Sequence, residues 1–198
     1  MITKLFYAFF ILSAVTTVSY SQNNNGFAVT YGNSLGTATY TLLKEGLITG
    51  SSSSDLGSNH TFGIRYLEKL NGKEKTKVEV GLNYLSGNLK IIPAKTGDPV
   101  SDAAFYKGIM LISAPVYLNH TFWDYFYLNY GLSLDYQNTK DRDIYSGFGL
   151  GYGFGIGARY DYKNYFFYLN PKYERHLFMS ESYGLVEFGI MTGIGISF

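Results

Sequence analysis

Glycine occupies every second position from Gly147 to Gly157, with bulky apolar residues between, in the segment SGFGLGYGFGIGARYDY (146–162). The dinucleotide fingerprint G-x-G-x-x-G requires glycines of opposite parity, whereas every glycine in this run is odd-numbered. A helix is also excluded, because a period of two does not gather residues on one helical face. Strict alternation over this length predicts a β-strand with one bulky apolar face and one nearly empty face.

The N-terminal stretch MITKLFYAFFILSAVTTVSYSQ has the three-part plan of a secretory signal peptide. Lys4 supplies the positive charge, an apolar core follows, and the small residues Ser19 and Ser21 precede a cleavage site before Gln22. The apolar core is short for a membrane-spanning helix. We therefore predict a signal peptide at residues 1–21 and a single exported domain at residues 22–198, 177 residues long (198 minus 21).

Composition limits how this exported domain is stabilised and what it binds. The chain contains no cysteine, so neither a disulfide framework nor a lipid-bearing cysteine is available. Removing Lys4 with the signal peptide leaves 15 basic residues (16 minus 1) against 15 acidic residues. This balance gives no indication of a nucleic-acid partner.

Alternation divides the domain into eight strand-like segments, each long enough to cross a hydrocarbon layer as a tilted strand of about 9–11 residues. The estimated segments are 26–36, 59–70, 75–90, 105–118, 124–137, 146–161, 165–178 and 184–198. Tight turns at 71–74, 119–123 and 161–164 alternate with mostly longer links. This layout predicts an all-β, eight-stranded, antiparallel up-and-down transmembrane barrel with both termini in the periplasm.

The two faces of the segments differ in charge. Thirty positions assigned to the outward face carry no charged residue, which is typical of a surface in contact with lipid. The lumen of an eight-stranded barrel is just filled by side chains, so we predict a packed network of inward charges. Its members are Arg65, Lys77, Glu79, Asp135, Arg159, Glu174 and Glu187, joined by Lys172 and Asp161.

Two prolines interrupt the pattern. Pro115 lies in a segment that is apolar on both faces, and Pro171 lies near the middle of another segment. Proline cannot donate to a sheet ladder, so we expect local breaks in strand pairing at both positions.

Two stretches resemble the outer-membrane β-barrel domain family common in Bacteroidetes. They are LISAPVYLNHTFWDYFYLNYGLSLDY (111–136) and GLGYGFGIGARYDYKNYFFYLNPKYERHLF (149–178), followed by the closing GIGISF. The resemblance implies an OmpA/OmpX-like barrel in the outer membrane, surrounded by lipids and lipopolysaccharide. It also implies insertion by the barrel-assembly machinery through the C-terminal aromatic strand, whose signal residues are Ile194, Ile196 and Phe198. No enzymatic activity or cofactor follows from it.

We therefore expect a non-enzymatic envelope protein that is structural, adhesive or accessory to another, unidentified envelope protein. Its functional surface would lie on the longer loops, and the best candidates are residues 37–58 and 92–104. A narrow pore is one alternative, although barrels with an aqueous channel have about 16–18 strands.

A lipid A-modifying enzyme is the other alternative, because some eight-stranded outer-membrane barrels act on lipid A. Deacylases of that class use a His-x-Ser pair with a nearby acid. Here His176 is followed two positions later by phenylalanine, and the nearest candidate groups are Glu174, Ser180 and Glu181. The other histidines, His60 and His120, are expected at opposite ends of the barrel, which excludes a three-histidine metal site.

Overall fold

The structure is a computed structural model that describes residues 25–44, 47–70, 75–91, 105–139, 146–178 and 183–198. The predicted signal peptide, the turn at 71–74 and the candidate loop at 92–104 lie outside the described residues. No helix long and apolar enough to cross a membrane occurs in the part of the chain that is described. The strands are β1 (Gly26–Lys44), β2 (Leu47–Lys69), β3 (Thr76–Ile91), β4 (Phe105–Thr121), β5 (Phe126–Asn138), β6 (Gly147–Tyr162), β7 (Tyr165–Phe178) and β8 (Tyr183–Ser197).

The eight strands form one closed barrel in which each strand pairs with its sequence neighbours. All pairings are antiparallel, and β1 closes the barrel against β8 from Gly26↔Ser197 to Tyr40↔Tyr183. Closure satisfies the backbone hydrogen bonds of both edge strands, which a strand in lipid requires. The predicted fold class is confirmed. We call the end with Asn25, Phe198 and the turns at 122–125 and 163–164 the turn end, and the opposite end the loop end.

The outer surface of the barrel is apolar. None of the thirty positions assigned to the outward face is buried, and the exposed fraction is 56% for Val29, 68% for Leu132 and 57% for Ile156. Exposed apolar area on this scale is unusual for a protein surrounded by water. The choice of odd or even positions as the outward face is therefore confirmed in every segment for which the sequence analysis made that choice.

The glycines of β6 face the lumen and make room for larger groups on neighbouring strands. A Cβ on Gly157 would overlap the Tyr127 ring, and a Cβ on Gly151 would overlap the Ser133 hydroxyl and the Asp135 carboxylate. The nearly empty face inferred from the sequence is thus occupied by side chains that belong to other strands.

The two prolines interrupt pairing without shifting the register. The β3–β4 ladder has no pair for Pro115, whereas the β4–β5 ladder pairs Pro115 with Ser133. Pro171 similarly has no pair in the β6–β7 ladder but pairs with Ile190 of β8. Each proline thus breaks the ladder on one side only, in agreement with its missing amide donor.

The first hairpin corrects the sequence analysis. Residues 37–58 were expected to form a loop, but β1 continues to Lys44 and β2 begins at Leu47. The two strands stay paired along this extension, from Thr37↔Asp55 to Lys44↔Leu47. A register shift between Ser34 and Gly36 lies at its base. The candidate loop is therefore a long β-hairpin that projects from the loop end.

Candidate functional site

A chain of hydrogen-bonded polar side chains crosses the lumen from β2 to β7. Arg65 Nε donates to Glu79 Oε1 at 2.9 Å, and Asn119 Nδ2 donates to Glu79 Oε2 at 2.8 Å. Asn129 Nδ2 donates to Asn119 Oδ1 at 2.5 Å, and Asn170 Nδ2 reaches Asn129 Oδ1 at 3.5 Å. All five residues are buried. Arg65 and Glu79, two of the predicted lumen charges, form an ion pair here, and the three asparagines that extend it were not predicted.

A second cluster joins β4 to β7. Lys172 Nζ lies 2.9 Å from Glu174 Oε1, and the Tyr117 hydroxyl donates to the same oxygen at 2.8 Å. The Lys172 ammonium also lies 3.9 Å from the centroid of the Tyr117 ring, within the range of a cation–π interaction. Tyr117 is 1% exposed, so this cluster fills the lumen where β4 faces β7.

A third cluster contains the histidine considered for catalysis. His176 Nδ1 lies 2.7 Å from Asp135 Oδ2, and both residues are buried. Nearby, the Ser34 hydroxyl donates to Glu187 Oε2 at 3.1 Å. Asp135 and Glu187, two of the predicted lumen charges, are both buried, with His176 and Ser34 as their respective partners.

This histidine does not have the arrangement of a catalytic triad in the described residues. In a Ser-His-Asp triad the carboxylate binds Nδ1 while the nucleophile faces Nε2. Ser133 instead lies beside the Asp135 carboxylate and the Nδ1 side of His176, around Gly151. The other two groups considered from the sequence, Ser180 and Glu181, lie outside the described residues.

The remaining predicted charges lie together at the turn end. Arg159 donates to Asp161 through Nε at 3.0 Å and Nη2 at 2.7 Å, and Nη2 also donates to Ser197 Oγ at 3.1 Å. Its guanidinium carbon lies 3.8 Å from the centroid of the Phe166 ring. Asp161, which was grouped with the inward charges, is about half exposed because it lies at the barrel mouth.

Arg159 and Asp161 line a cavity of about 80 Å³ at the turn end together with Lys77. No hydrogen bond or ion pair joins the Lys77 side chain to the described part of the chain. The seven predicted lumen charges are thus divided among three buried clusters and this mouth, rather than joined in one network.

Buried leucines also lie in the loop half of the lumen. Leu111 is 2% exposed and Leu185 is 0% exposed, and Leu85 pairs with Leu111 across the β3–β4 ladder. Together with the polar clusters, these side chains fill much of the described lumen, apart from the cavity at the turn end. The interior of an eight-stranded barrel is just wide enough for side chains to fill.

The outward histidines are far from these clusters. His60 Nδ1 lies 2.7 Å from the Tyr31 hydroxyl, and His120 Nδ1 lies 3.1 Å from the Thr76 hydroxyl. Within the described ranges, no group of three or more His, Cys, Asp or Glu side chains is arranged to hold a metal ion.

The C-terminal strand closes the barrel. Ile194 and Ile196 face outward and pair with Val29 and Phe27 of β1, and the Phe198 amide donates to the Asn25 carbonyl at 2.9 Å. Their role as an assembly signal remains a prediction.

Solved structures with this barrel are outer-membrane proteins. The solid-state NMR structure of the outer membrane protein AlkL in DMPC lipid bilayers has a TM-score of 0.53 at 14% identity, covering 91% of this chain and 93% of that chain. The crystal structure of Neisserial surface protein A has a TM-score of 0.49 at 15% identity, with coverages of 87% and 97%. Ail of Yersinia pestis, crystallised with the heparin analogue sucrose octasulfate, has a TM-score of 0.45 at 13% identity, with coverages of 88% and 99%.

The similarity to AlkL establishes the fold that this chain shares with an outer-membrane barrel. No protein-family model and no curated protein matches the chain. Membership of the Bacteroidetes family therefore stays a prediction.

Proposed function

We propose that this protein is a non-enzymatic, integral outer-membrane barrel with a packed lumen, acting as a structural, adhesive or accessory component of the envelope. In this proposal the turn end faces the periplasm and the loop end faces outward, as in barrels with short periplasmic turns. The observation that carries the proposal is the pairing of an exposed apolar outer face with a buried polar interior. Lipid is the solvent that makes such an arrangement favourable.

Aromatic side chains at the turn end support this placement. Trp123 is 70% exposed and packs beside Phe122 and Phe126, with ring centroids 5.4 and 5.9 Å away. Tyr125 of the turn at 122–125 stacks on Tyr160 of β6, with ring centroids 6.4 Å apart. Aromatic girdles of this kind occur where transmembrane barrels meet the membrane–water interface.

The long first hairpin is our candidate for the functional surface. Beyond Gly36, β1 runs on to Lys44, which at about 3.3 Å per residue is roughly 26 Å of strand. The paired β2 extension contains the serine run SSSS (51–54), whose side chains are unsuited to contact with lipid. We therefore place this hairpin outside the membrane, where it is accessible to a partner or a surface.

Partner capture by a hairpin-deleted variant tests this surface. Residues 38–54 are replaced by Asn-Gly, a two-residue turn that can close the hairpin between Thr37 and Asp55, which are paired. We expect the variant to fold and fractionate with outer membranes while losing proteins that co-purify with the wild type. If the same proteins co-purify with the variant, the functional surface does not lie on this hairpin. A protein that stays soluble without detergent would refute the membrane placement.

The alternatives have separate tests. The packed lumen supports a barrel without conduction, so planar-bilayer recordings should show no discrete current steps, and steady steps would favour the pore.

The buried position of His176 supports a structural role for this residue. Lipid A mass spectra should accordingly be unchanged on overexpression, and loss or addition of acyl chains would favour the enzyme.

A further inference from the structure

The cavity at the turn end is lined by six consecutive strands of the barrel, β2 to β7, and by the turn at 122–125. Lys77 and Glu79 come from β3, Tyr125 from the turn at 122–125, and Arg159 and Asp161 from β6. The cavity therefore lies inside the mouth of the barrel, on the opposite side of the strands from the lipid-facing surface. It is accessible from the aqueous phase at that end.

One of the cations that line the cavity has no charged partner. Glu79 is paired with Arg65, and Arg159 is paired with Asp161. Lys77 has neither an ion pair nor a hydrogen bond to the described residues, although it lines the cavity. Asp124, the remaining acid in the lining, is exposed to solvent. Lys77 and Asp124 are then the unpaired charges of the lining and sum to zero, so a monoanion on Lys77 adds one negative charge to the cavity and a dianion adds two.

A further donor at the cavity lacks a partner. Arg159 Nη1 is buried and meets no acceptor in the described chain. A buried donor without an acceptor is unfavourable and needs an explanation in a native protein. Arg159 lines the cavity, so an acceptor brought there by a ligand would lie close to its guanidinium group.

The rest of the wall is apolar and aromatic. Leu67 and Phe166 are buried in one cluster with Ala28, and Tyr127 is 7% exposed. The cavity has a volume of about 80 Å³ and opens toward the turn end. This space suits a carboxylate with a short hydrocarbon body, because small ligand sites combine apolar walls with a few placed polar groups.

We propose that the turn-end cavity binds a small monocarboxylate, with its carboxylate on the Lys77 ammonium next to the Arg159 guanidinium and its hydrocarbon body against Tyr127 and Phe166. This binding site is additional to the envelope role proposed above and does not depend on it. The ligand enters from the turn end of the barrel, where Asn25 and Phe198 lie.

The experiment is a titration of the ¹⁵N-labelled barrel in non-ionic detergent with sodium butyrate, followed by the amide shifts of Lys77 and Arg159. We expect saturable shifts in the wild type. Lys77→Gln should weaken binding by about tenfold or more, because a charge-assisted hydrogen bond is lost. Lys75→Gln, which removes the same charge from an exposed residue at the neighbouring turn, should change binding by less than about twofold.

Chemical controls define the ligand class. Butyramide, which has the same shape without the charge, and sulfate, which is a dianion, should both bind at least about tenfold more weakly than butyrate. Lys77→Arg keeps the positive charge and should retain binding if Lys77→Gln does not fold. The proposal is overturned by absent saturation in the wild type, by equal binding of butyramide or sulfate, or by equal losses in the two glutamine variants.

Discussion

Gly131→Ala provides a sharp test of how closely the lumen is packed. Gly131 faces the lumen from β5, opposite Tyr117 of β4. An added Cβ would lie 2.6 Å from Tyr117 Cδ1 and 2.7 Å from Tyr117 Cα, and it would also overlap the Val116 carbonyl oxygen. Real Cβ atoms essentially never approach other atoms within 3.0 Å. Since two of these contacts are with backbone, a side-chain rotation cannot relieve them.

Overpacking of a core by one methyl group costs about 1–3 kcal/mol, and we expect Gly131→Ala to destabilise the barrel by this amount. Gly32→Ala is the matched control, because Gly32 also faces the lumen but its nearest neighbour is the Ile190 carbonyl oxygen at 3.5 Å. There the reduced freedom of the unfolded chain should stabilise the protein by about 0.4–1 kcal/mol. The two substitutions should therefore have opposite signs.

Urea unfolding in lipid vesicles, followed by the fluorescence of Trp123, measures both effects, because this is the single tryptophan in the chain. With a slope of about 2 kcal/mol per molar urea, Gly131→Ala should lower the midpoint by roughly 0.5–1.5 M. Equal midpoints for the two variants, or a rise for Gly131→Ala, would refute the inferred packing of β5 against β4.

Three further substitutions test the interior and the outer face by the same unfolding measurement. Glu79→Gln leaves the buried Arg65 charge without its partner and should cost about 3–5 kcal/mol, and a change below 1 kcal/mol would contradict a buried pair. Tyr117→Phe removes the hydrogen bond to Glu174 and should cost about 1–3 kcal/mol, an effect that would vanish if the hydroxyl faced water. Leu132→Lys places a charge on the outward face and should cost about 2–4 kcal/mol in a bilayer, whereas an unchanged stability would argue against lipid contact there.

The number, order and facing of the strands could be predicted from the sequence because lipid and lumen impose opposite demands on alternate residues. The β6 segment shows this most clearly, since its odd positions are glycine and its even positions are apolar. The same rule failed for the first hairpin. The β2 half of its extension contains the run SSSS (51–54) and shows no alternation, which favoured a loop. The β1 half, TATYTLL (37–43), does alternate, and this strand signal was not used in the sequence analysis.

The partners inside the lumen could be predicted only in part. The inward facing of Asp135 and His176 follows from alternation, but their contact depends on how β5 and β7 lie relative to each other across the lumen. Tyr117 was not among the predicted lumen residues, because its segment is apolar at both odd and even positions and gave no basis for choosing the inward side. Lys77 and Arg159 lie on β3 and β6, which are not neighbouring strands. Their shared position at the turn-end cavity could therefore be seen only in the closed barrel.

The central claim is that alternate residues of each strand face lipid and a packed interior. The chain has no cysteine, so single cysteines can be placed along β5 at the outward Leu134 and the inward Ser133 and spin-labelled in lipid vesicles. Accessibility to oxygen, which concentrates in the bilayer, should be high at position 134 and low at position 133. Similar accessibility at both positions, or strong relaxation of the label at 134 by a water-soluble nickel complex, would contradict the account.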